Sequence, residues 1–415
     1  MEKSKRILQK RKIMHCPLCQ NKNNQKELFK TLNAFTSTVK FDTKQFINNL
    51  DDSNSSCGGG YCKGNNIITL VQCQNCGYVF NSTFDLNKIS QEYQNKTYLS
   101  RKIVSKAMNN TTKLIKENLL KYINKNSTCL EIAPGSGDMV NALIHDIKFM
   151  YTIDPSLISL EMENINNLKH IQGFFNFNTL KTTLKDKIDL IIFRHLLEHI
   201  NTPFHFLSDV AKLLKNDGLV YIEIPNFSKS VQYSRFYDIY NDHCGYYSKN
   251  TIINVMLKLN FTLLEDIILH NGDILGLIFK KELSKPQNTI YPIELFDNTA
   301  EKFSLNIQKL NNLLNNYNSI GIYGAGSQGC SLPCYINQAN CIKIKKCFDL
   351  DARKHGMYLQ NSSIIIQEPN IENFKDLKAI IIAAPLYEEE IIKSLKEKGY
   401  KGDIITMEKE IFIIK

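Results

Sequence analysis

Leu130-Glu131-Ile132-Ala133-Pro134-Gly135-Ser136-Gly137 is a short apolar run that breaks into a glycine turn and leads to a helical stretch from Asp138. A buried strand, a tight turn and a helix in that order open a parallel α/β sheet. Gly135 and Gly137 let the backbone turn sharply and approach a ligand with no side chain in the way. The helix start beyond them offers free N–H groups, which in related turns hold a pyrophosphate. Glu131 argues against phosphate here: its carboxylate would repel it and suits the cationic amino group of an amino-acid ligand. Asp154, 19 residues after Gly135, ends the next apolar run, where an acid meets ribose hydroxyls in sheets of this kind.

Further strands are predicted on either side of this unit. Phe149 to Ile153, Ile188 to Phe193 and Leu219 to Ile224 read as buried parallel strands, with helical stretches such as Phe204 to Leu214 between them. After Ser248 a helix is expected, then two strands, Phe261 to Leu269 and Ile274 to Lys281, that read as an antiparallel hairpin. Parallel strands with helical crossovers closed by a hairpin resemble the class I methyltransferases, whose first motif is similar to LEIAPGSG; Ala133 stands where that family usually has glycine. The resemblance implies S-adenosylmethionine as cofactor, held by Glu131, Ala133, Gly135, Gly137 and Asp154. His195-Leu196-Leu197-Glu198-His199 sits where the family has a similar His-x-x-Glu-His segment. It lacks the Glu directly after the first His of a zinc-protease helix, so it is read as a strand end lining the cofactor edge through His195, and not as a metal site.

Toward the N-terminus, Cys16-Pro17-Leu18-Cys19 and Cys73-Gln74-Asn75-Cys76-Gly77 form two CxxC knuckles separated by 53 residues. Each places two thiolates on one tight turn, and two such turns complete a tetrahedral S4 zinc site whose role is structural, since no coordination position stays open. Cys57 and Cys62, inside a polar loop from Asn48 to Asn66, are an alternative pair. The 12 cysteines point to metal or buried thiols and not to disulfides, because the chain is expected in the cytosol. The basic start MEKSKRILQKRK has no apolar stretch after it, so no signal peptide is read, and no apolar run is long enough to span a bilayer.

The stretch predicted to carry chemistry is Phe236-Tyr237-Asp238-Ile239-Tyr240-Asn241-Asp242-His243-Cys244-Gly245-Tyr246-Tyr247-Ser248. A His accepts a proton near neutral pH, a neighbouring carboxylate can orient it, and a Tyr can donate to a developing oxyanion. This stretch resembles the signature of the sugar C-methyltransferases, similar to FDxIYHEHxxYFS. The paired CxxC module, Leu269-His270-Asn271-Gly272-Asp273 (similar to an HGGS segment), Tyr323-Gly324-Ala325-Gly326-Ser327-Gln328-Gly329 (similar to YGAxxKG) and Phe348-Asp349 followed by Lys354-His355-Gly356 extend that resemblance over nearly the whole chain. It implies His243 as base, with Tyr240 and Asp242 beside it, and Tyr247, Asn271, Gly324, Gly326 and Gly329 toward the substrate. Asn241 and Asp242 replace the family's His and Glu, which bears on substrate and regiochemistry.

The 415 residues divide by pattern into three units: 1–90, a zinc-binding module; 91–285, the methyltransferase domain; and 286–415, a second Rossmann-like domain entered through a polar linker with Pro286 and Pro292 and a helix from Thr299 to Tyr317. Gly324, Gly326 and Gly329 also have the spacing of an NAD loop, but the resemblance favours the nucleotide diphosphate of a keto-sugar. A net charge of +10 suits an anionic ligand; its scatter along the chain speaks against nucleic acid. The implied reaction is C-methylation of a nucleotide-linked keto-sugar through an enolate. The alternatives are a methyltransferase acting on oxygen or nitrogen of another small molecule, and a zinc-bearing nucleic-acid-binding protein.

Overall fold

The computed structural model describes residues 15–22, 24–33, 57–58, 61–62, 66–87, 99, 102–284, 290–359, 362 and 364–415. The polar loop around Asn48, the basic first residues, Pro286 and the 90/91 boundary lie outside them.

The N-terminal module is a ribbon of β1 (Gln25–Asn33), a small pair β2 (Cys57–Gly58) and β3 (Tyr61–Cys62), then β4 (Asn66–Cys73) and β5 (Val79–Asn81). Along β4 the side chains alternate. Ile68 and Leu70 enter a core shared with the C-terminal domain, while Val71 and Cys73 enter one shared with the middle domain. Period-two alternation thus lets one strand serve two cores.

The middle domain is built on β6 (Thr128–Ile132), β7 (Phe149–Asp154), β8 (Leu168–Gln172), β9 (Ile188–Arg194), β10 (Leu214–Pro225), β11 (Gly245–Tyr246), β12 (Phe261–Leu269) and β13 (Ile274–Lys281). Its sheet runs β12-β13-β10-β9-β6-β7-β8. The strands from β8 to β10 are parallel, and β13 returns antiparallel against β10 and β12. This is the α/β sheet closed by a hairpin that the sequence predicts. Helix ends follow local chemistry: Ser105 and Ser248 cap helices Lys106–Leu119 and Lys249–Lys258 through their side chains, and Pro203 opens Pro203–Leu213. Strand β8 is not announced by its residues, because LKHIQ lies half-exposed on the sheet edge.

The C-terminal domain adds β14 (Ile320–Tyr323), β15 (Ile344–Phe348), β16 (Ile366–Gln367), β17 (Ala379–Ile382), β18 (Asp403–Thr406) and β19 (Phe412–Ile414) in the order β16-β15-β14-β17-β18-β19. All pairs are parallel except β18–β19, so a second Rossmann-like sheet is present.

Two findings revise the outline drawn from sequence. First, the described part of the linker is a clamp. Gln72 Nε2 donates to the Glu294 carbonyl at 2.8 Å, its Oε1 accepts from Phe296 N at 3.0 Å, and Asn250 Nδ2 donates to the Pro292 carbonyl at 3.0 Å. Second, β11 belongs to the ribbon sheet, which runs β1-β4-β5-β11. The three units therefore share cores. Phe303, fully buried on helix Thr299–Leu314, meets Phe29 of the ribbon edge-to-face at 5.1 Å.

Phe303→Ala is expected to lose about 3–5 kcal/mol, the usual result of emptying a buried aromatic site. Scanning calorimetry should show a lowered unfolding midpoint. An unchanged midpoint would mean that the ribbon and the C-terminal domain do not depend on each other.

Candidate active site

A cavity of about 900 Å³ opens at the carboxyl ends of the parallel strands, where open α/β sheets bind their ligands. Glu131, Ala133, Gly135 and Asp154 line it from one side, His195, Glu198 and His199 from the strand end after β9, and Tyr240, Asp242 and His243 from the segment before β11. Ser327, Gln328, Leu386 and Tyr387 of the C-terminal domain close the far side.

The cofactor mouth forms as its residues dictate. Ala133 has φ +57° and Gly135 φ +58°, left-handed values that explain why a glycine is the easier residue where Ala133 stands. Gly137 has φ +78°, and a Cβ there would lie 2.6 Å from Met162 Sδ; it shapes the turn and does not line the cavity. Asp154 accepts from Gly135 N at 2.9 Å and from Ser156 N at 2.7 Å, so its carboxylate first of all fixes the loop. Glu131 is the residue that awaits a partner. It is buried, and its Oε2 has no hydrogen-bond partner among the described residues. Burial raises its pKa to about 8, against the opposing pull of Arg194. An orphaned buried carboxylate at this strand end fits the cationic amino group of S-adenosylmethionine.

Behind it lies a buried charge network that the sequence does not announce. Arg194 grips Glu223 through Nε at 2.8 Å and Nη2 at 3.0 Å. His195 Nε2 lies 3.0 Å from Glu223 Oε1, and Tyr221 donates its hydroxyl to Oε2 at 3.0 Å. Burial alone would raise Glu223, but Arg194 and His195 outweigh it and hold the carboxyl well below its usual range. His195, expected at the cofactor edge, both lines the cavity and joins this network, with φ +49°.

The segment 236–248 is pinned on both flanks. Cys244 N donates to the Glu198 carbonyl at 2.8 Å, and Tyr237 donates its hydroxyl to the Met407 carbonyl. Asp238, raised by burial, accepts from Ser230 Oγ at 2.7 Å and Gln328 Nε2 at 2.6 Å. His243 packs edge-on against Tyr240 at 4.7 Å and against His199 at 4.7 Å. Burial, then the neighbouring His199 and His195, holds the His243 imidazole well below its usual pKa, so it is neutral at physiological pH. Tyr240 is raised well above its usual range by burial first and Asp238 next, and keeps its proton. The orienting contact expected from Asp242 is made to a different ring: His199 Nδ1 lies 2.9 Å from the Asp242 carbonyl and 3.5 Å from its carboxylate.

The residues assigned to the substrate are less uniformly placed. Tyr247 lines the cavity, but its hydroxyl donates to the Leu197 carbonyl at 3.3 Å. Asn271, at φ +55°, forms the β12–β13 turn beside the cavity, which Asp273 and Ile274 reach instead. Gly324, Gly326 and Gly329 shape their loop, with Ser327 and Gln328 facing the cavity; a Cβ on Gly329 would come within 1.9 Å of the Gly324 carbonyl oxygen. The Arg235–Asp273 ion pair, 2.9 Å and buried, is a cavity element that sequence reasoning missed, since its partners are far apart in the chain.

Away from the cavity, the four knuckle sulfurs converge. Cys16–Cys76 and Cys19–Cys73 are each 3.6 Å apart, and one sulfur of each residue lies within 4.8 Å of the others. Sulfurs bound tetrahedrally at ~2.3 Å from zinc lie about 3.8 Å apart, so the donor set fits that ion. The side chains of Cys57 and Cys62 lie outside the described residues.

Residues 104–266 match the family described as a methyltransferase domain. These residues form a methyltransferase domain. Solved structures similar to it include an S-adenosylmethionine-dependent methyltransferase from Clostridium acetobutylicum, 13% identical, covering 47% of this chain and 98% of that one with a TM-score of 0.35. Magnesium protoporphyrin IX methyltransferase from Synechocystis, with bound S-adenosylhomocysteine, is 12% identical over 47% of this chain and all of its own (100%), with a TM-score of 0.37. An N-methyltransferase from Bradyrhizobium japonicum is 15% identical over 42% of this chain and 96% of its own, with a TM-score of 0.32. No curated protein matches the chain. Among the described residues of this methyltransferase, no helix is long and apolar enough to cross a membrane.

The state of Glu131 predicts pH-dependent cofactor binding. Its carboxyl is protonated below about pH 8 in the free site, and pairing with an ammonium group requires the proton to leave. Affinity for S-adenosylhomocysteine should therefore rise roughly tenfold per pH unit up to about pH 8, then level off. Calorimetry in buffers of different ionisation enthalpy should detect close to one proton released at pH 7, and none in Glu131→Gln. A flat affinity between pH 6 and 8 with no proton release would remove Glu131 from the cofactor site.

Proposed function

We propose that the methyltransferase transfers the methyl group to carbon of a nucleotide-linked keto-sugar. The observation that carries this reading is His243: a neutral, buried imidazole on the wall of a cavity bounded on one side by the cofactor mouth and on the other by the C-terminal domain. S-adenosylmethionine, once bound, supplies an electrophilic methyl group. Carbon is a poor nucleophile until a proton is removed beside a ketone, and His243 has the lone pair to take it. The charge that spreads to the ketone oxygen needs a donor, and Tyr240, which keeps its phenolic proton, stands against the same ring. Asp242 acts one step back: its carbonyl and carboxylate hold His199, the ring packed on His243.

Ser327 and Gln328, with the buried Arg235, are placed for the polar remainder of such a substrate. The four cysteines are proposed to hold one structural zinc, since an S4 site leaves no position open for chemistry.

His243→Ala should leave S-adenosylhomocysteine affinity intact and slow methylation of a nucleotide keto-sugar by roughly 10²–10⁴-fold. It should also abolish solvent-deuterium exchange at the carbon beside the ketone. Because the imidazole is held neutral, the acid limb of the wild-type rate should fall below the ordinary histidine range. Near-normal exchange in the variant would give the proton to another base. Methylation of oxygen or nitrogen without any exchange in the parent would replace the enolate reading altogether.

The zinc assignment predicts about one zinc per chain by elemental analysis. Cys73→Ser should lower it together with soluble yield. Full zinc content in a Cys16→Ser/Cys73→Ser protein would move the metal to Cys57 and Cys62.

A further inference from the structure

A second donor cluster lies on the cavity wall. A carboxylate oxygen of Glu198, a ring nitrogen of His199 and a ring nitrogen of His243 all lie within 4.8 Å of one another. We propose that these three side chains bind one divalent first-row transition-metal ion, separate from the ion of the four cysteines.

Four observations carry the proposal. The donor set, two imidazoles and one carboxylate, is the one that holds such ions on a single face and leaves the opposite positions open. The open positions would face the cavity, since all three residues line it. His199 Nδ1 lies 2.9 Å from the Asp242 carbonyl. A carbonyl can only accept, so Nδ1 carries the ring proton and the lone pair is on Nε2, the arrangement in which a backbone carbonyl orients a metal-binding histidine. Glu198 is 2% exposed, and its Oε2 has no hydrogen-bond partner among the described residues, while Oε1 lies 3.5 Å from His195 Nδ1. A buried carboxyl oxygen without a partner is a costly thing to maintain, and a cation between the two imidazoles satisfies it.

The backbone holds the cluster ready. Glu198 and His199 end a short 3₁₀ turn, Leu197–His199, that is stitched to the His243 segment by Cys244 N donating to the Glu198 carbonyl. Donors bound at about 2.1 Å sit roughly 3–4 Å apart, close to the separations within 4.8 Å found here. An ion there takes the imidazole lone pair that His243 would use for a proton. Metal and proton transfer therefore compete at this ring, and binding can be tested without any substrate.

The test is cobalt(II) titration of the full-length, metal-depleted protein, followed by its absorption spectrum. Cobalt bound by four thiolates gives strong sulfur-to-metal charge-transfer bands in the near ultraviolet; cobalt bound by nitrogen and oxygen gives weak visible bands alone. Two equivalents per chain are expected, one of each kind. Glu198→Gln and His199→Ala should each weaken the second by tenfold or more while the thiolate bands persist and report an intact fold. A stoichiometry of one, carrying thiolate bands alone, overturns the proposal in the wild-type protein, whatever the variants do. So does a second equivalent that survives both substitutions unchanged. If the ion is bound, deuterium exchange at the ketone-adjacent carbon separates the two readings: exchange suppressed by the ion leaves His243 as the base, and exchange that requires it keeps the metal site but removes His243 from that role.

Discussion

Strand β11 is two residues long, and the geometry of the active site depends on its pairing with β5. Gly245 faces Phe80 and Tyr246 faces Val79, and Asn81 N adds a bond of 3.0 Å to the Cys244 carbonyl. Without that pairing, 236–248 would be a polar surface connection free to vary, as loops generally are. With it, the backbone just after Tyr240, Asp242 and His243 becomes the edge strand of the cysteine ribbon. The fit is close. A Cβ on Gly245 would lie 2.2 Å from the Tyr78 hydroxyl, and Tyr78 in turn packs on Tyr247 at 4.9 Å. Cys73 N donates to the Tyr78 carbonyl at 2.9 Å, so the second knuckle fixes the ring against which the active segment closes. The module that looks like an appendage in the sequence is a brace for the backbone of the proposed catalytic segment.

A second constraint is electrostatic. Glu131, Arg194, Glu223 and Glu198 are all buried or nearly so around one strand end. Buried charges persist when they are paired and hydrogen-bonded, and Arg194 with Glu223 meets that condition. Glu131 and Glu198 do not: each keeps one oxygen without a partner. Two unfilled acceptors on one cavity wall are the mark of a surface built for cationic groups, and they sit where the cofactor and the reacting centre are expected. The net charge of +10 describes the outer surface and gives no hint of this local inversion.

What could be read from the residues, and what could not, follows from sequence distance. The cofactor loop was legible because strand, turn and helix are consecutive and Ala133, Gly135 and Gly137 are needed for local backbone reasons. The knuckles were legible because each is four residues long. Strand β8 was not, because an edge strand with Lys169 and His170 lacks the apolar run that marks a buried one. The β5–β11 pairing was not, because it joins segments from opposite ends of two domains. The contact between Asp242 and His199 was not legible for the same reason. Sequence neighbours suggest Asp242 with His243, yet the chain bends at Asp242, and its carbonyl and carboxylate meet the ring of His199, brought in from the strand end after β9.

That last pairing changes how the chemistry has to be understood. A buried neutral imidazole is available as a proton acceptor at physiological pH, but low dielectric surroundings penalise the imidazolium it becomes. A positioned base therefore needs negative charge nearby that is not already neutralised. At an effective dielectric of about 20, a unit pair about 5 Å apart is worth roughly 3 kcal/mol, enough to offset a shift of about two pKa units. Glu223 is already engaged with Arg194 and His195. Glu198, with one open oxygen and a place in the same donor cluster as His243, is positioned to supply that charge. The same oxygen would ligate a metal ion. Both roles draw on a single unfilled interaction, so the positive charge that reaches it, a transferred proton or a bound cation, determines which state of the active site is populated.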